Sequence, residues 1–175
     1  MSRVHHLHWK LTMRNTRVLA MVQAALIAAM YVVLTWLANL FGLANGAIQV
    51  RFSEALTILP YFTGTAVPGL FIGCVISNLL TGAAIWDVCF GSLATLLGAF
   101  LTYKLRKFSN WLAPIPPILA NTLVVPQVLR FVYGSPDSIW YLTATVALGE
   151  IISCGIFGMI LLFALDKHKN QIFQV

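Results

Sequence analysis

The chain has 175 residues, of which 59% are hydrophobic and only 9% charged, against about 25% charged in an ordinary soluble domain, so a soluble fold has too few charges to cover itself. The same apolar richness excludes a disordered chain. The net charge of +6 does not describe a nucleic-acid binder, because the eleven basic residues punctuate apolar segments instead of forming a stripe on a polar domain.

What remains is an integral membrane protein. At about 20 residues per helical crossing, six crossings and their turns consume the chain and leave no room for a second soluble domain. The expected fold is an all-α, six-transmembrane-helix bundle at residues 18–165, between a basic N-terminal tail (1–17) and a C-terminal tail (166–175).

The N-terminal stretch is polar and carries Arg3, Lys10, Arg14 and Arg17. A first span follows at residues 18–41, too long for the apolar region of a signal peptide. Residues 42–54 read as a loop with Arg51 and Glu54 near its end, and residues 55–65 as a short second span interrupted by Pro60. Pro68-Gly69 marks a turn into a third span at 69–80, and residues 81–87 form a loop before a fourth span at 88–103. Lys104, Arg106 and Lys107 end that span, and a proline-rich connection at 113–117 leads to a fifth at 118–133. After a turn at 134–137 the sixth span occupies 138–165 and stops at Asp166-Lys-His-Lys169.

With six spans, both termini and the connections after the second and fourth spans share one side. That side holds nine basic residues: Arg3, Lys10, Arg14, Arg17, Lys104, Arg106, Lys107, Lys167 and Lys169. The other holds two, Arg51 and Arg130. The excess predicts that the nine, and both termini, face the cytoplasm.

Four of the five acids then fall on the outer side or in the outer half: Glu54, Asp87, Asp137 and Glu150. Glu150 is the deepest, about 18 Å down its helix at 1.5 Å per residue, where an unpaired charge costs several kcal/mol and a functional role is the default reading. Asn78, Asn121, Gln127 and Arg130 collect in the same half, with Trp86, Trp140 and Tyr141 at its edge. Such a half-bundle describes an outward-facing pocket for a planar, hydrogen-bonding solute. Each residue also has a plainer reading. Trp140 and Tyr141 suit interface anchors, Asp137 a solvated turn residue, Arg130 a snorkelling helix end or a partner of Glu150, and Asn78 and Asn121 helix-to-helix bonds.

Small residues at Ala20, Ala24 and Ala28, with Ala25 and Ala29, form a smooth seam on the first span, as Gly69, Gly73 and Ser77 do on the third. Such a seam admits a close helix, from within the bundle or from a partner. Cys74, Cys89 and Cys154 have no metal-type spacing and read as small hydrophobes. His5, His6, His8 and His168 read as solvated tail residues, and no metal site is expected. There is no phosphate-loop motif, so the chain is not expected to hydrolyse ATP, and no H-E-x-x-H or G-x-S-x-G motif of an enzyme.

The runs Arg51-Phe-Ser-Glu-Ala-Leu-Thr-Ile-Leu-Pro60, Pro68-Gly-Leu-Phe-Ile-Gly-Cys74, Ile85-Trp-Asp-Val88 and Phe90-Gly-Ser-Leu-Ala-Thr-Leu-Leu97 resemble the QueT family, over residues 17–165. Those proteins are substrate-binding (S) components of energy-coupling factor transporters, associated with precursors of the modified tRNA base queuosine. The resemblance implies a multi-pass protein of a prokaryotic cell membrane that captures a 7-deazaguanine, in its 7-aminomethyl or 7-cyano form. A separate transmembrane coupling protein and two ATP-binding cassette ATPases would drive its release inside, with no cofactor in this chain. Ala24-Ala-Leu-Ile-Ala-Ala29 resembles the seam by which S components dock on the coupling protein. On this reading Glu150 accepts the two adjacent donors of the guanine-like edge, and Asn78, Asn121 or Gln127 bonds its oxygen or ring nitrogen. Trp86 or Phe52 stacks on the ring, Asp87 or Glu54 holds an aminomethyl cation, and the Arg51 loop closes over the site. Two alternatives remain: an S component for another vitamin, or a self-sufficient proton-coupled carrier using Glu150.

Overall fold

The computed structural model describes residues 2–43 and 48–172, with side chains described at 16–43, 48–169 and 172. The three N-terminal histidines, Arg3, Lys10 and Arg14 therefore lie outside the described side chains. Every regular element among the described residues is helical: α1 (Ser2–Leu40), a 3-10 helix (Phe52–Tyr61), α2 (Ala66–Leu80), α3 (Ile85–Leu105), a 3-10 turn (Asn110–Leu112), α4 (Ile115–Phe131), α5 (Ile139–Glu150), a π-helical stretch (Ile151–Phe157), α6 (Gly158–Asp166) and α7 (Lys169–Ile172). The basic N-terminal stretch is continuous with the first span in one 39-residue helix. Four helical runs are long and apolar enough to cross a membrane: Thr16–Leu40, Ile85–Leu105, Asn110–Phe131 and Ile139–Asp166.

The segment expected as the second apolar span differs in kind. It is a ten-residue 3-10 helix that begins earlier, at Phe52, and rises about 20 Å at 2.0 Å per residue. All eight residues from Ser53 to Pro60 are buried. The cause is position: this helix packs against α1, α2, α3, α6 and the π-helical stretch, so it has no lipid-facing side. Its polar groups find partners inside the chain. Thr57 Oγ1 donates to the Glu54 carbonyl at 2.6 Å, and Cys154 Sγ donates to the same oxygen at 3.4 Å. The helices α1 to α4 each pack on the next in the chain, and α4 on α5. The helices thus pack in chain order from α1 to α5, with the 3-10 post enclosed against α1, α2, α3, α6 and the π-helical stretch.

Close approaches show which way the helices run. A Cβ on Gly69 would meet the Ala24 carbonyl at 2.7 Å, and one on Gly73 would meet Tyr31 Cβ at 2.8 Å and Ala28 Cα at 3.0 Å. Helices α1 and α2 are therefore parallel, and the post returns the chain between them. Gly98 abuts Pro117, and Thr102 Oγ1 donates to the Ala113 carbonyl at 2.9 Å, so α3 and α4 are antiparallel. One end of the bundle gathers Gln23, Thr65, Tyr103 and Ile172, linked by Thr65 Oγ1 donating to Gln23 Oε1 at 3.1 Å and Gln23 Nε2 donating to the Ile172 carbonyl at 3.4 Å. Lys104, Arg106, Lys107, Lys167 and Lys169 stand at this basic end; Leu40, Arg51, Thr81, Asp87 and Tyr133 lie at the other.

The alanine seam is split by the fold. Ala24 and Ala28 face the glycines of α2, so α2 occupies the place a partner helix would need there. Ala20 is half-buried, and Ala25 and Ala29 are exposed on the outer face of α1.

Candidate functional site

At the end away from the basic cluster, three helices stop in glycines with left-handed backbone: Gly42 (φ 70°), Gly82 (φ 74°) and Gly134 (φ 65°). Only glycine adopts this conformation without strain. After α1 and α2 the turns close with Leu43 N–H to the Ala38 carbonyl and Ala83 N–H to the Asn78 carbonyl, each at 3.0 Å, the bond pattern that satisfies the last helical carbonyls. Between these turns and the start of α3 lies a cavity of about 430 Å³, within the range of small-molecule sites. Its lining includes Thr35 and Asn39 from α1, Asn78 and Thr81 from α2, Asp87 from α3, and Tyr133 just past α4. Gln49 and Arg51 enter it from the extended stretch before the post. A second cavity of about 190 Å³ shares Gln49 and Leu129 with the first and reaches Asp137 and Tyr141.

Arg51 is pinned through its backbone, whose N–H donates to Ser153 Oγ at 3.1 Å. Its guanidinium makes no hydrogen bond or ion pair among the described residues and stands in electrostatic reach of Asp87 and Glu54. Asp87 accepts from the Tyr133 hydroxyl on Oδ2 at 3.0 Å and leaves Oδ1 without a partner among the described residues. The Asn78 amide nitrogen leans on Cys74 Sγ at 3.6 Å. Asp87 Oδ1 and Asn78 Nδ2 both stand beside Gly91, where a Cβ would meet them at 3.3 and 3.5 Å.

Beneath the cavity lies a buried polar layer. Glu54, on the post, accepts from the Tyr31 hydroxyl on Oε1 and from Asn121 Nδ2 on Oε2 at 3.3 Å. Glu150, at the end of α5, has Oε2 at 3.2 Å from Cys154 Sγ, whose single S–H is shared between this carboxyl and the Glu54 carbonyl. One oxygen from each carboxyl and the Cys154 sulfur lie within 4.8 Å of one another, all three residues being buried. Thr35 Oγ1 links this layer to the cavity by donating to Ser53 Oγ at 2.8 Å. The stretch carrying Gln49 and Arg51 passes over Gly149, where a side-chain carbon would collide with the Gln49 carbonyl.

The structure thus brings Arg51, Asn78 and Asp87 to the cavity and places Glu54, Asn121 and Glu150 below it. Phe52 packs edge-on against Phe157, with ring centroids 6.1 Å apart. Trp86 is exposed and stacks on Phe90. Gln127 lies with Phe90, Leu123 and Phe131 in an outward apolar groove. None of Phe52, Trp86 and Gln127 belongs to the cavity lining. Arg130 does not pair with Glu150; its Nη1 holds the following turn by donating to the carbonyls of Ser135 at 2.7 Å and Asp137 at 3.0 Å. Sequence reasoning missed Tyr31, Thr35, Asn39 and Tyr133. The first three stand at four-residue spacing on one face of α1, a polar stripe that 3.6-residue periodicity makes readable.

The family model described as QueT transporter matches residues 21–167. A relative described as the queuosine precursor transporter QueT of Lactococcus lactis subsp. cremoris (strain MG1363) is 29% identical over 172 residues, covering 91% of this chain and 98% of its own. No solved structure matches the chain.

Proposed function

The chain belongs to the QueT transporter family, and from that premise we propose that it is the membrane-embedded binding component through which a cell takes up a queuosine precursor of the 7-deazaguanine type. It is a transporter and not an enzyme. The observation that carries the substrate reading is the cavity that joins Arg51, Asn78 and Asp87 at the end away from the basic cluster. A guanine-like edge offers two adjacent donors beside an acceptor oxygen. The Asp87 oxygen and the Arg51 guanidinium that are without partners among the described residues supply an acceptor and a donor, and the Asn78 amide carbonyl supplies a second acceptor. The turns ending α1, α2 and α4 direct the negative ends of helix dipoles toward the same region, which favours the 7-aminomethyl cation over the neutral 7-cyano form. Glu150, the deepest acid, acts from beneath the floor with Glu54.

In this reading the six helical segments, the post included, all cross the cell membrane, with both termini and the basic end in the cytoplasm. Energy comes from a separate transmembrane coupling protein and two ATP-binding cassette ATPases, because this chain has no phosphate-binding loop. With Ala24 and Ala28 used inside the bundle, Ala25, Ala29 and the exposed side chains of α1 form the face for the coupling protein.

Calorimetry on the purified chain tests the reading, with 7-aminomethyl-7-deazaguanine as ligand and guanine and riboflavin as competitors. Tight binding that riboflavin leaves intact is expected. A folded protein that gives no heat with the deazaguanine overturns the substrate assignment.

The buried Glu54–Glu150 pair favours a second reading, a self-powered proton-linked carrier, since two carboxyl groups so close in an apolar core share a proton more cheaply than they carry two charges. Uptake driven by a pH gradient in vesicles lacking the ATPases would select it.

A further inference from the structure

We infer that Tyr133 is a positioning residue: it draws the Asp87 carboxylate out of a helix-capping role and into the cavity, and so sets the site's preference for a ligand edge bearing an exocyclic amine. The inference rests on the deazaguanine reading of the cavity and adds the device that orients its acceptor.

The argument starts from the first turn of α3. Ala84 is the N-cap, its side chain offers no cap, and Asp87 is the third helical residue. In a capping box the acidic or amide side chain at that position reaches back to the N-cap backbone N–H, an acceptor role open to Asp87. Here that N–H is taken: Ala84 N–H donates to the Tyr133 hydroxyl oxygen at 3.0 Å. The same hydroxyl gives its own proton to Asp87 Oδ2 at 3.0 Å. One phenol, reaching across from the end of α4, thus stands between the two halves of an interrupted cap. Among the described residues Asp87 is held by one oxygen only, and its second oxygen stands beside Gly91, as the Asn78 amide nitrogen does. A phenol is protonated at neutral pH, and here desolvation, opposed in part by the Ala84 N–H and reinforced by the Asp87 charge, raises the Tyr133 hydroxyl further.

An aromatic at the end of a bundle ordinarily anchors it in the membrane interface. Anchoring needs the ring and not the hydroxyl, so Tyr133→Phe separates the two roles. Without the hydroxyl, the Asp87 carboxylate is free to turn back onto the Ala84 N–H. The helix keeps a cap, and the cavity loses its acceptor.

The test is calorimetry with two probes, 7-deazaguanine and 7-deazahypoxanthine, which differ by the exocyclic amine. Wild type should prefer the amine-bearing probe. Tyr133→Phe should reduce that preference by about ten- to a hundredfold, the equivalent of one hydrogen bond to a charged group, with the melting temperature unchanged. Asp87→Asn should reduce it similarly, and the double variant should be no worse than Asp87→Asn alone, because the tyrosine acts through the aspartate. Equal weakening of both probes by Tyr133→Phe, an unchanged preference, or additive losses in the double variant would overturn the inference while leaving the deazaguanine reading intact. A folded wild type that binds neither probe would remove that reading, and this inference with it.

Discussion

At the level of single residues, cost decides what each polar group is doing. Asp87 and Arg51 carry charge at the mouth of an apolar bundle, and each keeps hydrogen-bonding capacity that no described residue uses. Replacing Asp87 by Asn should weaken binding of 7-aminomethyl-7-deazaguanine by about 1.5–3 kcal/mol, the range for a hydrogen bond to a charged group; equal affinities of the two proteins in calorimetry would contradict it. Glu54 differs because its oxygens are already engaged. Glu54→Ala leaves the buried Tyr31 hydroxyl and Asn121 amide unsatisfied at about 1–3 kcal/mol each, so it should lower the melting temperature in detergent with or without ligand. Arg51, Asn78 and Asp87 were legible in the sequence because charges and amides are expensive among apolar residues. Thr35 and Asn39 are ordinary in a membrane helix when taken singly, and only their four-residue spacing with Tyr31 marks them. Tyr133 was hidden because its partner lies 46 residues away, at the start of another helix.

Among the elements, length carried the information. The runs Thr16–Leu40, Ile85–Leu105 and Ile139–Asp166 are long enough that composition alone marks them. The post defeats the same reasoning for a physical reason. Sequence periodicity records a contrast between a buried face and an exposed one, and a helix buried on every side has no contrast to record. Its Ser53 and Glu54 read as the end of a loop although they lie in the core. The seam between α1 and α2 was visible as small residues, but spacing does not say which helix fills it. Gly73→Ala decides that experimentally. Its Cβ would stand 2.8 Å from Tyr31 Cβ and 3.0 Å from Ala28 Cα, and overpacking of this kind costs about 1–3 kcal/mol. The variant should melt lower than wild type even in isolation from any partner, and an unchanged melting temperature would mean that α2 can move away.

For the molecule as a whole, the distribution of charge and the distribution of polar cavities are two independent descriptions that agree. The lysines and arginines after α3 and α6 stand at one end, and the cavity opens at the other. If the basic end is cytoplasmic, a Cys89→Ala, Asp137→Cys variant should react with an impermeant maleimide added to intact cells. A Cys89→Ala, Lys167→Cys variant should react only after the cells are opened. The reverse pattern would turn the protein over and put the cavity on the wrong side for uptake.

The enclosed 3-10 post also constrains how the protein is made. Ten residues are half of what a helix needs to enter a bilayer by itself, and a glutamate within them adds several kcal/mol against entry. The nascent segment therefore has no stable place in lipid until its neighbours surround it. Two of its neighbours, the π-helical stretch and α6, follow α1, α2 and α3 in the chain and are translated after them. Biogenesis must hold the elements from α1 to α5 in an unfinished arrangement until the π-helical stretch and α6 complete it. A chain stopped before residue 151 would present an unenclosed carboxylate within the bilayer, a mark by which membrane quality control can tell an incomplete copy from a finished one.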